Sequence, residues 1–177
     1  MRKIVTKVYP ITELSDTAKD KAVEMLSNEY FCVMSDANWL EASESRQRAE
    51  EITGVKAALE SSSHGWYCKY YSVDYSSSLL QTNDKIGILL WNKVVEEIQN
   101  MEISIWSDDI MIKAFLSHEY NNNRSYENNV VEVYLEFAEQ IDNLNTDLLF
   151  DREGIIDYAE SNDMEFLING NPYHLKG

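Results

Sequence analysis

Two apolar runs that flank a polar, asparagine-rich loop constrain the fold of this chain most strongly. The runs are Ile110–Leu116 and Val130–Phe137, and the loop between them contains the three consecutive asparagines Asn121–Asn123. Asparagine-rich loops between runs of β-branched residues are typical of a β-hairpin. The pattern therefore predicts a central hairpin within Asp108–Phe137.

The second run fits two secondary structures. Alternate residues are apolar, as in a half-buried strand, at Val131, Val133, Leu135 and Phe137. Apolar residues also recur at helical spacing, at Val130, Val133, Tyr134, Phe137, Ile141 and Leu144. The density of β-branched and aromatic residues favours the strand, but strand and helix both stay open for residues 129–144. In either structure Glu132 and Glu136 lie opposite the apolar residues.

The remaining strand signals complete a predicted antiparallel sheet. An N-terminal strand is predicted over Lys3–Tyr9 with Pro10 as its end, and an aromatic strand over Trp66–Tyr75. A final strand is predicted at Glu165–Ile168. Together with the central hairpin these strands predict a single α+β domain, in which helices cover one antiparallel sheet.

Four capping signals predict where the helices begin and end. Ser15 caps a first helix that runs to about Tyr30, and Asp36 caps a second that runs to Thr53 and stops at Gly54. A third starts at Asn83 or Asp84 and continues through Ile98, and a turn or two follows over Ala138–Leu149. The last helix is capped by Asp151, with Asn162 as its left-handed stop.

Chain length and composition indicate one soluble domain. The 177 residues, 44% of them apolar, are enough for one packed core, and two prolines and six glycines leave little room for a linker. We therefore expect one domain over residues 1–177. Neither a signal peptide nor a membrane span is apparent, so a cytoplasmic location is expected. Cys32 and Cys68 are far apart in sequence, which favours reduced thiols over a disulfide.

Negative charge is concentrated in the second half of the chain. Residues 1–95 carry 13 acidic and 11 basic side chains, whereas residues 96–177 carry 18 acidic and 4 basic ones. Nucleic acids and anionic membranes bind basic surfaces, so neither is an expected direct partner. A basic protein is the complementary partner. The alternative is that the acidic surface only keeps the protein soluble.

No pattern of catalytic or metal-binding residues is apparent. The three histidines, His64, His118 and His174, are scattered, and no serine lies in a nucleophile elbow. Adjacent acids such as Asp108 and Asp109 are expected by chance in so acidic a chain. We therefore predict a protein that is not an enzyme and that needs neither cofactor nor metal.

Three stretches carry a resemblance to a known group of proteins. They are Glu13–Ala22, the aromatic strand from Tyr67 to Tyr75, and the closing segment Gly154–Phe166. Together they resemble a loosely defined family of uncharacterised small proteins encoded by bacteriophages and prophages. The resemblance implies a role inside the bacterial host cell, as an inhibitor of a defence system such as CRISPR.

The charge pattern and the resemblance together predict an anti-CRISPR type of inhibitor. Such a protein would act as a DNA mimic that binds a basic host protein, for example a CRISPR effector nuclease, and would be a monomer or a weak homodimer. The alternative is a phage regulatory or antitoxin-like module that binds its partner through an apolar patch. The predicted partner-binding residues are all acidic: Asp108, Asp109, Glu132, Glu136, Glu139, Asp142, Asp147, Asp151, Asp157 and Glu160.

Overall fold

The longest element is helix α1, which runs without interruption over Asp16–Thr53. It belongs to a computed structural model that describes residues 6–63, 65–74 and 87–173. The prediction of two helices separated before Asp36 is wrong. No glycine or proline occurs between Asp16 and Thr53, so nothing in this stretch stops a helix that has begun. Gly54 ends α1 as predicted, because its φ of 69° is a left-handed conformation that glycine adopts without strain.

Contacts along the chain separate two compact units, and each is described by itself. The first unit consists of the described parts of Met1–Asp36 and Leu144–Gly177, and the second unit is Ala37–Asn143. Each unit has its own cluster of buried apolar side chains. The prediction of one domain over residues 1–177 stays a prediction.

The first unit combines the start of α1 with a short sheet and a short helix. Strand β1 (Tyr9–Pro10) pairs antiparallel with a late strand, labelled β4 (Glu165–Phe166), so that Tyr9 lies opposite Phe166. Single 3-10 turns cover Ile11–Glu13 and Leu148–Phe150. The predicted N-terminal strand starts outside the described residues, and within them it is confined to this short pair.

Helix α5 (Arg152–Ser161) lies in the first unit and begins where its capping signal predicts. The Asp151 carboxylate accepts a hydrogen bond from the Gly154 amide at 2.9 Å. The predicted stop is displaced by one residue. Asn162 has a φ of −101°, and Asp163 is the residue in the left-handed region, with a φ of 49°.

The second unit contains a β-hairpin, but not where the sequence predicted one. Strands β2 (Val55–Ser62) and β3 (Gly65–Val73) are antiparallel, with Val55 opposite Val73 and a bulge between Ala58 and Leu59. Strand β3 confirms the predicted aromatic strand as far as Val73, and Tyr75 lies outside the described residues. Strand β2 was not predicted.

The predicted central hairpin is wrong, because both of its runs are helical. They lie in α3 (Trp106–Ser117) and α4 (Tyr126–Asp147), which follow α2 (Gly87–Gln99). The predicted starts of α2, Asn83 and Asp84, lie outside the described residues. The helical turns expected over Ala138–Leu149 belong to the end of α4 and the 3-10 turn after it. The α+β class is confirmed, but the strands within the described residues form two two-stranded sheets instead of one larger sheet.

Burial explains why the second run is a helix. One face of α4 carries five side chains that are each at most 2% exposed: Val130, Val133, Tyr134, Phe137 and Ile141. A strand would direct the odd-numbered and even-numbered members of this set to opposite faces. Valine in a helix costs at most about 0.7 kcal/mol relative to alanine, whereas burying a large apolar side chain contributes about 1.5–3 kcal/mol. Packing therefore outweighs the β propensity of the segment.

The helices also bear on the relation of the chain to membranes. None of those within residues 6–63, 65–74 and 87–173 combines the length and the hydropathy that a membrane-spanning segment requires.

Candidate protein-binding surface

Three of the predicted partner-binding residues lie in a row on the outer face of α4. Glu132, Glu136 and Glu139 are spaced by four and three residues, which places them on one side of a helix. This side is opposite the buried face that carries Val133 and Phe137. The expectation that Glu132 and Glu136 point away from the core is therefore confirmed. We call Glu132, Glu136 and Glu139 the α4 acidic row.

Two members of the α4 acidic row are held by partners from the preceding segment. Arg124 forms an ion pair with Glu132, and His118 Nδ1 lies 3.0 Å from Glu136 Oε1. The side chains of Glu132 and Glu136 are 35% and 45% exposed, so both still face solvent. Arg124 offsets part of the charge of the row, while the contacts fix the positions of two carboxylates.

The other end of the row lies beside the β2–β3 hairpin. Glu139 is exposed, and its Oε1 lies 3.8 Å from the position that a Cβ on Gly65 would occupy. Asp142, one turn further along α4, accepts a 2.7 Å hydrogen bond from the indole nitrogen of Trp66. The hairpin therefore borders the acidic face of α4 and orients one of its carboxylates.

Asp108 is not a surface residue, and its predicted role in partner binding is wrong. The residue is fully buried, and its carboxylate accepts hydrogen bonds from the backbone amides of Ser104 at 2.8 Å and Ile105 at 3.0 Å. It also accepts from the Ser45 hydroxyl at 2.7 Å and from the Arg48 guanidinium. Every one of these partners belongs to the second unit, so the carboxylate fixes the start of α3 against α1.

These contacts also set the protonation of Asp108. Burial raises the pKa of its carboxyl group, and the hydrogen bonds from Arg48, Ser45 and the two backbone amides lower it by more. The pKa of Asp108 therefore lies below its usual range. Its neighbour Asp109 is partly exposed, with 46% of its side chain accessible, and forms an ion pair with Lys113 at 2.5 Å.

The last four predicted residues belong to the first unit. Asp151 caps α5 and accepts a 3.2 Å hydrogen bond from the Tyr30 hydroxyl, so it has a structural role. Asp147, Asp157 and Glu160 are exposed. The predicted partner-binding residues are therefore divided between the two units. Among them, the α4 acidic row is the set that lies together on one face.

Sequence reasoning missed two features of the second unit. One is the ion pair between Arg124 and Glu132. These residues are eight positions apart, a spacing that does not indicate an ion pair in the sequence. The other is a cavity between α1, β2, β3 and α4, at which Trp39 and Trp66 meet with ring centroids 4.8 Å apart. No pattern in the sequence joins two tryptophans 27 positions apart, because only the fold of the hairpin against α1 brings them together.

Neither a metal site within the described residues nor a similarity to known proteins adds to this surface. In the part of the chain that the structure describes, no three histidine, cysteine, aspartate or glutamate side chains converge on a point that could hold a metal ion. His64 and His174 lie outside those residues. Comparison of the chain with known protein families, with curated proteins and with solved structures found no match.

Proposed function

We propose that the protein is an acidic inhibitor that occupies a basic surface of a nucleic-acid-handling host protein, with a CRISPR effector nuclease as the first partner to test. The observation that carries the proposal is the α4 acidic row, which presents three carboxylates on one solvent-facing side of a helix in a chain of net charge −16. CRISPR nucleases hold nucleic acid in positively charged channels, which are complementary to such a row.

The spacing of the row limits how it can imitate a phosphate backbone. At 1.5 Å per residue, Glu132, Glu136 and Glu139 are separated by about 6 Å and about 4.5 Å along the helix axis. A DNA strand carries one charge per about 3.4 Å of axis. The row is therefore less dense than a DNA strand, and it matches a group of two or three basic side chains rather than a whole channel.

The intramolecular contacts that hold two carboxylates of the α4 acidic row in place support a binding role. Ordering a flexible side chain on binding costs about 0.5–1.5 kcal/mol of conformational entropy. A side chain that is already ordered in the free protein avoids part of this cost. The contacts of Glu132 with Arg124 and of Glu136 with His118 provide this order in the free protein.

A matched pair of variants tests the proposal. One neutralises the α4 acidic row (Glu132→Gln, Glu136→Gln, Glu139→Gln), and the control neutralises three acids of the same unit on α1 (Glu41→Gln, Glu44→Gln, Glu51→Gln). Both variants change the net charge equally, so only the position of the charge differs. Glutamine keeps the shape of glutamate and its capacity to accept hydrogen bonds.

The measurement is competition between the protein and a labelled target duplex for a guide-loaded nuclease. We expect the α4 variant to need at least about tenfold more protein for half-displacement, which corresponds to about 1.4 kcal/mol of lost binding free energy. The α1 control should stay within twofold of the wild type. Equal losses in both variants, or a loss in the control alone, would reject the α4 acidic row as the binding surface.

A second candidate function is a regulatory or antitoxin-like module that binds through apolar side chains. The outer face of the β2–β3 hairpin favours it, because Tyr70 is 66% exposed and Tyr67 is 43% exposed there. Aromatic residues are enriched at the cores of protein interfaces. Replacing both tyrosines with serine should abolish binding in this case and should leave it nearly unchanged if the acidic row is the interface.

A further inference from the structure

A cavity in the second unit has the properties of a small-molecule site. It has a volume of about 190 Å³, and Trp39, Ser43, Arg46, Leu59, Trp66 and Phe137 are among the residues that line it. All of these except Phe137 are partly exposed, so the cavity can be reached from solvent. A closed apolar cavity of about 150 Å³ is enough to hold benzene.

The two tryptophans give the cavity a preference for a flat, aromatic ligand. Their ring centroids are 4.8 Å apart with the planes tilted by 44°, and Trp66 is oriented by its hydrogen bond to Asp142. Aromatic rings pack at centroid distances of 4.5–7 Å in offset or tilted arrangements. Both indoles line the cavity, so an aromatic ring that fills it contacts both of them.

Arg46 supplies the polar group of the cavity. Its buried Nε has no hydrogen-bond partner within the described residues, and the same atom forms an ion pair with Glu50 Oε1 at 3.5 Å. That Glu50 oxygen already accepts a hydrogen bond from the Ala57 amide at 3.3 Å. Since a guanidinium has five N–H donors and no acceptor, Arg46 favours a ligand that brings an acceptor and disfavours a cation.

We propose that this cavity binds a small aromatic molecule of about ten non-hydrogen atoms that carries a carboxylate or an amide as hydrogen-bond acceptor. The aromatic ring packs against Trp39 and Trp66, and the acceptor faces the guanidinium of Arg46. Asp142 lies at the Trp66 side and Glu50 beside Arg46, and both weaken the attraction for an anion. A neutral amide therefore binds within tenfold of the carboxylate. The proposal does not depend on the proposed inhibitory function.

Three probes of nearly equal size test the chemistry of the site. They are phenylacetate, phenylacetamide and phenethylamine, and binding is followed by the indole N–H signals of the four tryptophans in NMR spectra of the whole chain. Phenylacetate and phenylacetamide should shift the signals of Trp39 and Trp66, assigned with Trp39→Phe and Trp66→Phe, and should leave those of Trp91 and Trp106 in place. Phenethylamine should bind at least tenfold more weakly.

Two variants and one control locate the binding. Arg46→Met should abolish the tenfold preference for the acceptor-bearing probes, whereas Lys113→Met, which removes the same charge elsewhere in the unit, should preserve it. Ser43→Leu fills the cavity and keeps the pair of Arg46 with Glu50, so it should weaken all three probes and remains decisive if Arg46→Met fails to fold. The proposal is overturned if no probe binds, if phenethylamine binds as tightly as the others, or if Ser43→Leu leaves binding unchanged.

Discussion

The Ser45 hydroxyl donates a 2.7 Å hydrogen bond to the Asp108 carboxylate, and both residues are completely buried. The same oxygen of Asp108 accepts a hydrogen bond from Arg48, and its other oxygen accepts from two backbone amides at the start of α3. Every partner of this carboxylate is a donor. An acceptor with a full negative charge is therefore the group that fits the position.

Replacing Asp108 with asparagine should destabilise the protein. The amide of asparagine would bring N–H donors into a site made of donors, and Arg48 would lose its counter-charge. Breaking a buried ion pair costs about 3–5 kcal/mol, and because Arg48 is one-third exposed we expect a smaller loss, about 2–3 kcal/mol of unfolding free energy. Urea denaturation measures it. The control Asp109→Asn, at an exposed pair, should cost less than about 0.5 kcal/mol.

The stability that Asp108 provides should depend on pH in a defined direction. Because its pKa is lower in the folded state, the folded protein binds fewer protons at this site than the unfolded chain does, whose aspartates have a pKa of about 3.9. The contribution is complete above about pH 5 and is lost as the pH falls through the folded pKa. The difference in unfolding free energy between wild type and Asp108→Asn should therefore shrink below about pH 5. A difference that stays constant from pH 6 to pH 2.5 would contradict this role.

Tyrosines buried beside the end of α1 should make the protein sensitive to alkali. The Tyr134 hydroxyl is 2.8 Å from that of Thr53, and the Tyr126 hydroxyl donates to the Thr53 carbonyl at 2.9 Å. Burial raises the pKa of Tyr134 well above its usual value and raises that of Tyr126 as well. Above about pH 10 the unfolded chain releases these protons first, so the unfolding free energy should fall.

Tyr134→Phe tests this alkaline effect. At pH 7 the variant should be less stable by about 1–2 kcal/mol, because the buried hydroxyl of Thr53 loses a partner. Between pH 10 and pH 11.5 its unfolding free energy should decline less steeply than that of the wild type. If the unfolding free energies of the two proteins declined in parallel, the buried hydroxyl of Tyr134 would not be a cause of the alkaline destabilisation.

Two glycines of the first unit should respond differently to substitution by alanine. A Cβ on Gly170 would overlap the backbone carbonyl of Ala18, and its φ of 84° already disfavours any side chain. A Cβ on Gly154 would overlap the Asp151 carboxyl group and the Tyr30 hydroxyl, which are side-chain groups that can shift at the cost of weakening their hydrogen bonds. We expect Gly170→Ala to lower the unfolding free energy by about 2–3 kcal/mol and Gly154→Ala by about 1 kcal/mol or less. Thermal unfolding of both variants checks the order, and a larger loss for Gly154→Ala would contradict it.

The local signals in the sequence predicted the termini of several elements correctly. Asp151 caps α5, Gly54 ends α1, and the aromatic residues after Gly65 form a strand. Each of these signals acts through the conformational preference or hydrogen bonding of one or two residues, so it can be read without the fold. Strand β2 carries no such signal. Its segment contains two alanines and two serines, and pairing with β3 is what makes it a strand.

The central segment and the candidate site show where sequence reasoning stops. The helical period at Val130, Val133 and Tyr134 was visible, but choosing it over the strand required knowing that one face is buried. Likewise, Asp108 and Glu139 are both carboxylates in an acidic half of the chain. One is enclosed by donors from α1 and the loop before α3 and the other faces solvent, a difference that only tertiary contacts create.

The most direct test of the proposed function is the salt dependence of binding between the protein and its basic partner. Charges at a surface are screened beyond about 10 Å at 0.1 M salt, so an interface built on the α4 acidic row should weaken steeply as salt rises. We predict that affinity measured by calorimetry falls at least about tenfold between 50 and 300 mM salt. Neutralising Glu132, Glu136 and Glu139 should flatten this dependence, whereas neutralising Glu41, Glu44 and Glu51 should leave it unchanged. An affinity of the wild type that does not change with salt would contradict the account.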